Sequence, residues 1–407
     1  MAAQDSGRGM REAKLKLAVV STHPIQYYAP VFRALALSSD IAPKVFFTWS
    51  QAINGEVFDP GFGTTFSWDI PLRNGYEHSF VKNTATRPGS DHFSGIRNPT
   101  LIQEISEWGA DAILIFGWNL HSHLQAMRYF SGRIPVLFRG DSTLLDPQPK
   151  WRSAARRAYL RWVYSHVDVA VAVGQNNSDY FRWCGVDTRR IVCVPHSVET
   201  KRFQDPTGEH GARARRWREE MGIQDQQVAF GFAAKFLAGK DPLLLIDAFV
   251  ALKADAHLVL VGNGELEAEM RKRVGIRKDV HFLPFQNQSG MPAVYRIADV
   301  FVLPSRSETW GLALNEAMAS GRPVISSSRC GGARDLVRST INGWVFESGD
   351  QTGLEGIMRA AIAQRRDGLF AMGQEALRDS ADWSPDATAV GIRRAVLEAC
   401  RVARRLD

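Results

Sequence analysis

VAFGFAAKFLAGKDPLLLIDAFVALKADAHLVLVG, from Val228 to Gly262, decides the fold. It opens on a run of small and apolar residues, passes through a loop carrying Lys235 and Lys240, and continues with the apolar spacing of a helix. It then returns to a second apolar run that ends in glycine. A strand whose residues are apolar without alternation is buried on both faces, as happens in a parallel sheet covered by helices. The same rhythm continues downstream in VHFLPF, ADVFVLP and RPVISS, and GLALNEAMASG supplies another helical pattern. Upstream it appears in LKLAVVST, APKVFFTW, DAILIF, RIPVLF, VDVAVAV and RIVCVP. Between the two sets lies the polar, charged stretch GEHGARARRWREEMGIQDQQ.

The expected architecture is therefore α/β, with two doubly wound domains facing one another across a cleft. A flexible extension is expected over residues 1–14. The first domain takes in 15–205 and the second 206–383, and an amphipathic helix over 384–407 packs back towards the first domain. In open sheets of this kind ligands sit beyond the carboxyl ends of the strands, so the loops there are where chemistry is sought. A chain of 407 residues is long enough for two such cores.

With 45% hydrophobic and 23% charged residues, composition excludes collagen-like and low-complexity classes. The net charge of +7 favours anionic partners without choosing among them. Cys184, Cys193, Cys330 and Cys400 are far apart and form no CxxC pair, which argues against a zinc knot or a disulfide framework. No apolar run is long enough to span a membrane and the amino-terminal stretch lacks a secretory pattern, so a cytoplasmic location is expected.

LPSRSETWGLALNEAMASGRPVISSSRCGG (Leu303–Gly332) carries the chemistry. Its layout is strand, loop, helix start, and Glu308 and Glu316 bracket the turn. Free amides at Trp310, Gly311 and Leu312, preceded by Thr309, would meet an anion at the positive end of the helix dipole, a setting suited to a diphosphate. Carboxylates flanking a diphosphate are repelled by it unless they accept hydrogen bonds from hydroxyl groups, and a nucleotide-sugar presents hydroxyls at both ends. Lys235 and Lys240 supply the positive charge a departing diphosphate needs. No DxD carboxylate motif is present in a cleft-facing loop, so no metal and no other cofactor is expected.

These segments, together with LVGNGELE and its turn Asn263–Gly264 and with ADVFVLPS, resemble the retaining glycosyltransferase family of the GT-B fold with the E-x7-E motif (glycosyltransferase family 4 type, glycosyl transferases group 1). The resemblance implies two Rossmann-like domains and transfer of a sugar from a nucleoside diphosphate with retention of configuration. It also implies that Glu308 holds the donor sugar, Glu316 the ribose, and the segment from Gln286 the base. The family's basic pair is most often Arg then Lys, and Lys235 at the first place keeps charge but loses the bidentate fork.

The amino-terminal half departs from the family. The first strand is followed by THPIQYYAP, where His23, Gln26 and Tyr27 are candidates for the acceptor side of the cleft, with core or cleft wall the alternative for Tyr27 and Tyr28. After RIPVLF, Arg139 stands where many members carry a histidine, and Asp141 follows as a candidate to orient the acceptor hydroxyl. His196 lines the cleft or belongs to the linker. Asn263 and Gly264 also fit an ordinary strand-to-helix turn.

Residues 150–164 interleave Lys150, Arg152, Arg156, Arg157 and Arg161 with Trp151, Tyr159, Trp162 and Tyr164. The pattern fits peripheral contact with the inner face of an anionic membrane, or a solvated face whose aromatic residues belong to the core. The expected acceptor is a glycan, a lipid-linked molecule or a small molecule. An epimerase or phosphorylase of the same fold, or a non-catalytic nucleotide-binding protein, are the competing readings, and nothing in the motifs suggests nucleic acid.

Overall fold

The structure is a computed structural model and describes residues 14–50, 57–59, 61, 63–146 and 149–403. Apart from Lys14, the extension expected over 1–14 lies outside the described residues.

The amino-terminal domain holds β1 (Leu15–Ser21), β2 (Ile41–Phe47), the hairpin strands β3 (Val57–Asp59) and β4 (Thr64–Phe66), β5 (Glu77–Phe80), β6 (Ala112–Phe116), β7 (Val136–Gly140), β8 (Val169–Ala172) and β9 (Ile191–Cys193). Leaving the hairpin aside, these form one sheet in the order β5-β2-β1-β6-β7-β8-β9, with every neighbouring pair parallel. The carboxyl-terminal domain holds β10 (Val228–Ala233), β11 (Ala256–Val261), β12 (Val280–Leu283), β13 (Val300–Leu303), β14 (Val324–Ser327) and β15 (Gly343–Phe346). Its parallel sheet runs β12-β11-β10-β13-β14-β15. In each sheet the first strand lies in the middle and the chain then grows outward on both sides of it. A crevice therefore opens between β1 and β6, and another between β10 and β13, at the carboxyl ends of the strands.

Residue alternation along β10 explains why its apolar run is unbroken. Val228, Phe230 and Phe232 enter one core cluster, while Ala229 and Ala233 enter the cluster on the opposite face. Each fully buried aromatic or aliphatic side chain here contributes about 1.5–3 kcal/mol. Such a strand holds its ends fixed and so sets where the following loop can reach.

The last helix, Pro385–Ala403, returns to the first domain as its sequence suggests. Ala389, Ile392, Ala395, Val396 and Ala399 share a cluster with Leu17, Val19, Phe32 and Val171, and Arg393 pairs with Asp40. The chain thus crosses between the domains twice, before the helix Glu209–Glu220 and again at the turn Ala381–Trp383.

Candidate active site

The two crevices face each other around a cleft of about 570 Å³. On the carboxyl-terminal side, the loops after β10 and β13 are bound together at their backbones. The Arg306 and Ser307 amides donate to the Gly239 carbonyl at 2.9 and 3.3 Å, and Arg306 pairs with Asp241 at 2.6 Å. This lashing carries Lys240 up to Glu308, and its ammonium donates to Glu308 Oε2. Lys235 and Lys240 both line the cleft, as their sequence positions predict.

The helix Leu312–Ala319 begins at Gly311, whose φ of 92° lies in the left-handed region. A Cβ there would stand 2.5 Å from Cys330 Sγ and 3.0 Å from Leu303 Cδ2, so only glycine fits. The loop's carbonyls are engaged from behind. Gly331 N donates to the Glu308 carbonyl at 2.9 Å, and Gly332 N and Cys330 Sγ donate to that of Trp310 at 2.8 and 2.9 Å. Within the first turn the Leu314 amide donates to the Gly311 carbonyl at 2.8 Å, whereas the Leu312 and Ala313 amides have no acceptor within the helix, and Thr309, Trp310, Gly311, Leu312 and Ala313 all line the cleft. The Trp310 indole is buried against Trp383 and His196 and donates to Asn315 Oδ1 at 2.8 Å.

Glu316 reaches the cleft from the second turn, only 3% exposed. Tyr295 donates its hydroxyl to Glu316 Oε2 at 2.6 Å, while Oε1 is buried with no hydrogen-bond partner. Burial raises the Glu316 pKa, opposed by the charge of Arg202 and by hydrogen bonding from Tyr295 and Tyr27. A buried carboxylate oxygen with an open lone pair is poised to accept from a ligand hydroxyl. Tyr27 lines the cleft beside it, and burial with the nearby Glu316 charge holds its phenol well above its ordinary pKa.

On the amino-terminal side the cleft is lined by Gln26, Asp141 and His196. Asp141 Oδ2 accepts from the Thr309 hydroxyl at 2.8 Å, so the loop bearing Glu308 is tied across the cleft to β7. His196 is 5% exposed, and burial followed by the charge of Arg139 lowers its pKa to about 3. It is therefore neutral at physiological pH and serves as a polar wall.

Four residues singled out by the sequence do not line the cleft. Arg139 does not line the cleft: it is buried and donates to the Val194 and Pro195 carbonyls at 3.2 and 2.6 Å, and burial lowers its pKa to about 10. Those two carbonyls belong to the segment bearing His196, so Arg139 shapes the wall from behind. His23 lies outside the cleft lining, edge-on to Trp49 with ring centroids 5.7 Å apart, and burial lowers its pKa to about 4. Asn263 and Gly264 are structural. Asn263 Oδ1 accepts from Phe285 N at 2.9 Å, and Gly264 admits the backbone of Phe236, where a Cβ would come within 2.6 Å of its carbonyl oxygen. Gln286 does line the cleft, with Phe285 and Gln288.

Trp68, Gln288, Met291 and Tyr295 also line the cleft and are not singled out by the sequence. For Tyr295 a signal exists, since its hydroxyl sits in an otherwise apolar helical run and must find a partner when buried. Trp68 follows the antiparallel hairpin β3–β4, which lies outside the parallel-strand pattern.

Among the described residues no cluster of three or more His, Cys, Asp or Glu side chains forms a metal site, and no helix is long and apolar enough to cross a membrane. In the helix Lys150–Tyr164, Trp151, Tyr159 and Trp162 are exposed, whereas Leu160, Val163 and Tyr164 enter the core.

The profile of glycosyl transferases group 1 matches residues 214–376, and that of glycosyltransferase family 4 matches residues 63–202. A D-inositol 3-phosphate glycosyltransferase of Geodermatophilus obscurus is 32% identical over 196 residues, 44% of this chain and 42% of the relative. One from Xylanimonas cellulosilytica is 29% identical over 221 residues, 52% of each chain. The chain thus spans about half the length of the curated relatives it matches. Among solved structures, a glycosyltransferase of Rickettsia africae superposes with a TM-score of 0.71 at 14% identity, covering 95% of this chain and 98% of the other. Anabaena HepE in complex with UDP and glucose superposes with a TM-score of 0.68 at 17% identity, covering 95% and 100%. Two parallel sheets of matching strand order around one cleft, with both sequence profiles falling on them in turn, show that the chain belongs to the GT-B glycosyltransferases of the family 4, group 1 type.

Proposed function

We propose that the chain is a retaining glycosyltransferase that moves a sugar from a UDP- or GDP-linked donor to a hydroxyl of a glycan, a lipid-linked molecule or a small molecule. The observation that carries this reading is the convergence of first-turn amides, Lys240, Glu308 and the open oxygen of Glu316 in one cleft. The complex of HepE with UDP and glucose supports a nucleotide-linked donor.

In the proposed step the bond between the anomeric carbon and the diphosphate oxygen breaks, and its electron pair leaves with the diphosphate. The amides of Gly311 and Leu312, with Lys235 and Lys240, stabilise that charge without a metal. Glu308 holds the sugar and Glu316 the ribose. The acceptor oxygen bonds to the anomeric carbon on the face the diphosphate vacates, and the acceptor proton passes to the departing phosphate oxygen. The protein supplies alignment and charge stabilisation, and no enzyme nucleophile is used.

The test is release of nucleoside diphosphate from a panel of UDP- and GDP-sugars with EDTA present, followed by the anomeric coupling constant of the product. Release in EDTA with retained configuration is expected. No release from any donor sinks the reading, and an inverted product sinks the retaining step.

The reading includes work at the inner, cytoplasmic face of a membrane. Trp151 is 70% exposed and Arg152 packs over its ring, and Arg156, Arg157 and Arg161 are exposed on the same helix. Each basic residue near an anionic surface contributes about 1 kcal/mol. Sedimentation with phosphatidylglycerol vesicles should carry the protein down, and the Trp151→Ala/Trp162→Ala double variant should bind roughly tenfold more weakly. Equal binding by the variant removes this contact.

A further inference from the structure

The cleft has one wall that the doubly wound frame does not provide. Between β2 and β5 the chain inserts the antiparallel hairpin β3–β4 and continues through Ser67, Trp68 and Asp69. This insertion belongs to the amino-terminal domain by sequence, yet it reaches across to the carboxyl-terminal one at two places. At the hairpin tip Gly61 lies against Lys235, so closely that a Cβ on the glycine would stand 2.6 Å from Lys235 Cδ and 3.0 Å from its Nζ. Further along, Asn287 Nδ2 donates to the Ser67 carbonyl at 2.6 Å, Ser289 N donates to the Asp69 carboxylate at 3.2 Å, and the Ser289 hydroxyl bonds to the same group. Trp68 sits between these two hydrogen-bonded neighbours, half-buried, with its side chain on the cleft that Phe285, Gln286 and Gln288 line from the opposite domain.

We propose that Trp68 is a base-stacking wall of the nucleoside pocket, and that Gly61 and residues 63–69 form a strap lying along the donor from its diphosphate end at Lys235 to its base end at Gln286–Gln288. The inference rests on the donor-site reading above. Three features support it. The strap touches the segments assigned to the two ends of the donor and bridges them. Among the described side chains of the strap, Trp68 is the large aromatic one on the cleft, and it is bracketed by the Asn287 bond to the Ser67 carbonyl and the Ser289 bonds to the Asp69 carboxylate, which hold the strap on both sides of the indole. An indole offers a flat apolar face to a planar base and stabilises any base by stacking, an effect large enough to govern affinity. Asn287 and Ser289 thereby act as positioning residues: they touch the strap, and through it they hold Trp68.

The experiment compares UDP, GDP and inorganic pyrophosphate binding by calorimetry in the full chain, for the wild type, Trp68→Ala, Trp68→Phe, Asp69→Ala and Glu316→Gln. Pyrophosphate carries the charge of the donor but no base. Trp68→Ala should weaken the preferred nucleotide at least tenfold while pyrophosphate changes less than twofold. Trp68→Phe should recover most of the loss, and Asp69→Ala should fall between. Equal weakening of nucleotide and pyrophosphate by Trp68→Ala, or no weakening of either, overturns the assignment. If Glu316→Gln weakens the nucleotide while Trp68→Ala does not, the strap loses its role and the donor site stands. If neither nucleotide binds the wild type, the donor-site reading and the strap fall together.

Discussion

Replacing Lys240 by alanine is expected to lower kcat/KM for the preferred nucleotide-sugar by about two to three orders of magnitude, the range seen when one preorganised group facing a developing oxyanion is removed. Two effects act in the same direction. On the proposed reading the ammonium facing the leaving diphosphate is lost, and the Glu308 carboxylate, which Lys240 now contacts, is left with its charge uncompensated in the cleft. Lys240→Arg should restore part of the loss, since charge returns but on a planar fork in place of a compact ammonium. The Lys240→Ala defect should also appear more in kcat than in the affinity for free nucleoside diphosphate, because the charge on the bridging oxygen grows only as the bond breaks. Steady-state kinetics with the donor found by the panel measure this. A loss below threefold would remove Lys240 from the leaving-group machinery.

Gly311→Ala should be a strongly damaging single-methyl change at the start of the helix Leu312–Ala319. The added carbon would press on the Cys330 sulfur at 2.5 Å and on Leu303 at 3.0 Å, at a backbone angle that side chains disfavour. Left-handed strain and overpacking together should lower unfolding stability by about 2–4 kcal/mol. Denaturant midpoints at constant m-value report it. Turnover should fall as well, since the loop can relieve the clash only by moving the first-turn amides. The Gly311→Ala/Cys330→Ala pair isolates the steric part: removing the sulfur should return stability by about 1 kcal/mol or more, while the left-handed strain persists. A stability change under about 0.5 kcal/mol for the single variant would mean that the turn is not held as described.

The buried strands were readable because burial on both faces removes all polar alternation. β1, β6, β7, β10, β11 and β13 show this, and so the buried strands of the two sheets follow from pattern alone. The edge strands β5 and β15 lack that signal. β5 is EHSF with half-exposed side chains, and β15 has Val345 open to solvent, so neither forms a continuous apolar run. In the site, the glutamate spacing and the glycine at the helix start are local features, and locality makes them legible. Arg139 shows the opposite case. Its residue type and position suggest a ligand contact, but its donors are taken by two backbone carbonyls fifty-five and fifty-six residues further on, which no local pattern encodes. Trp68 escapes for the same reason, since the segment it faces lies in the other domain.

The return of the final helix to the first domain has a mechanical consequence. A body joined to its neighbour at one point can swivel in any direction, whereas one joined at two points turns about the line through both. The halves of this chain are joined before Glu209 and again at Ala381–Trp383, so any opening of the cleft would be a rotation about the line through those two joints, like a door on two pins. One pin bears Trp383, whose ring lies 5.2 Å from that of Trp310, beside the glycine that starts the helix Leu312–Ala319.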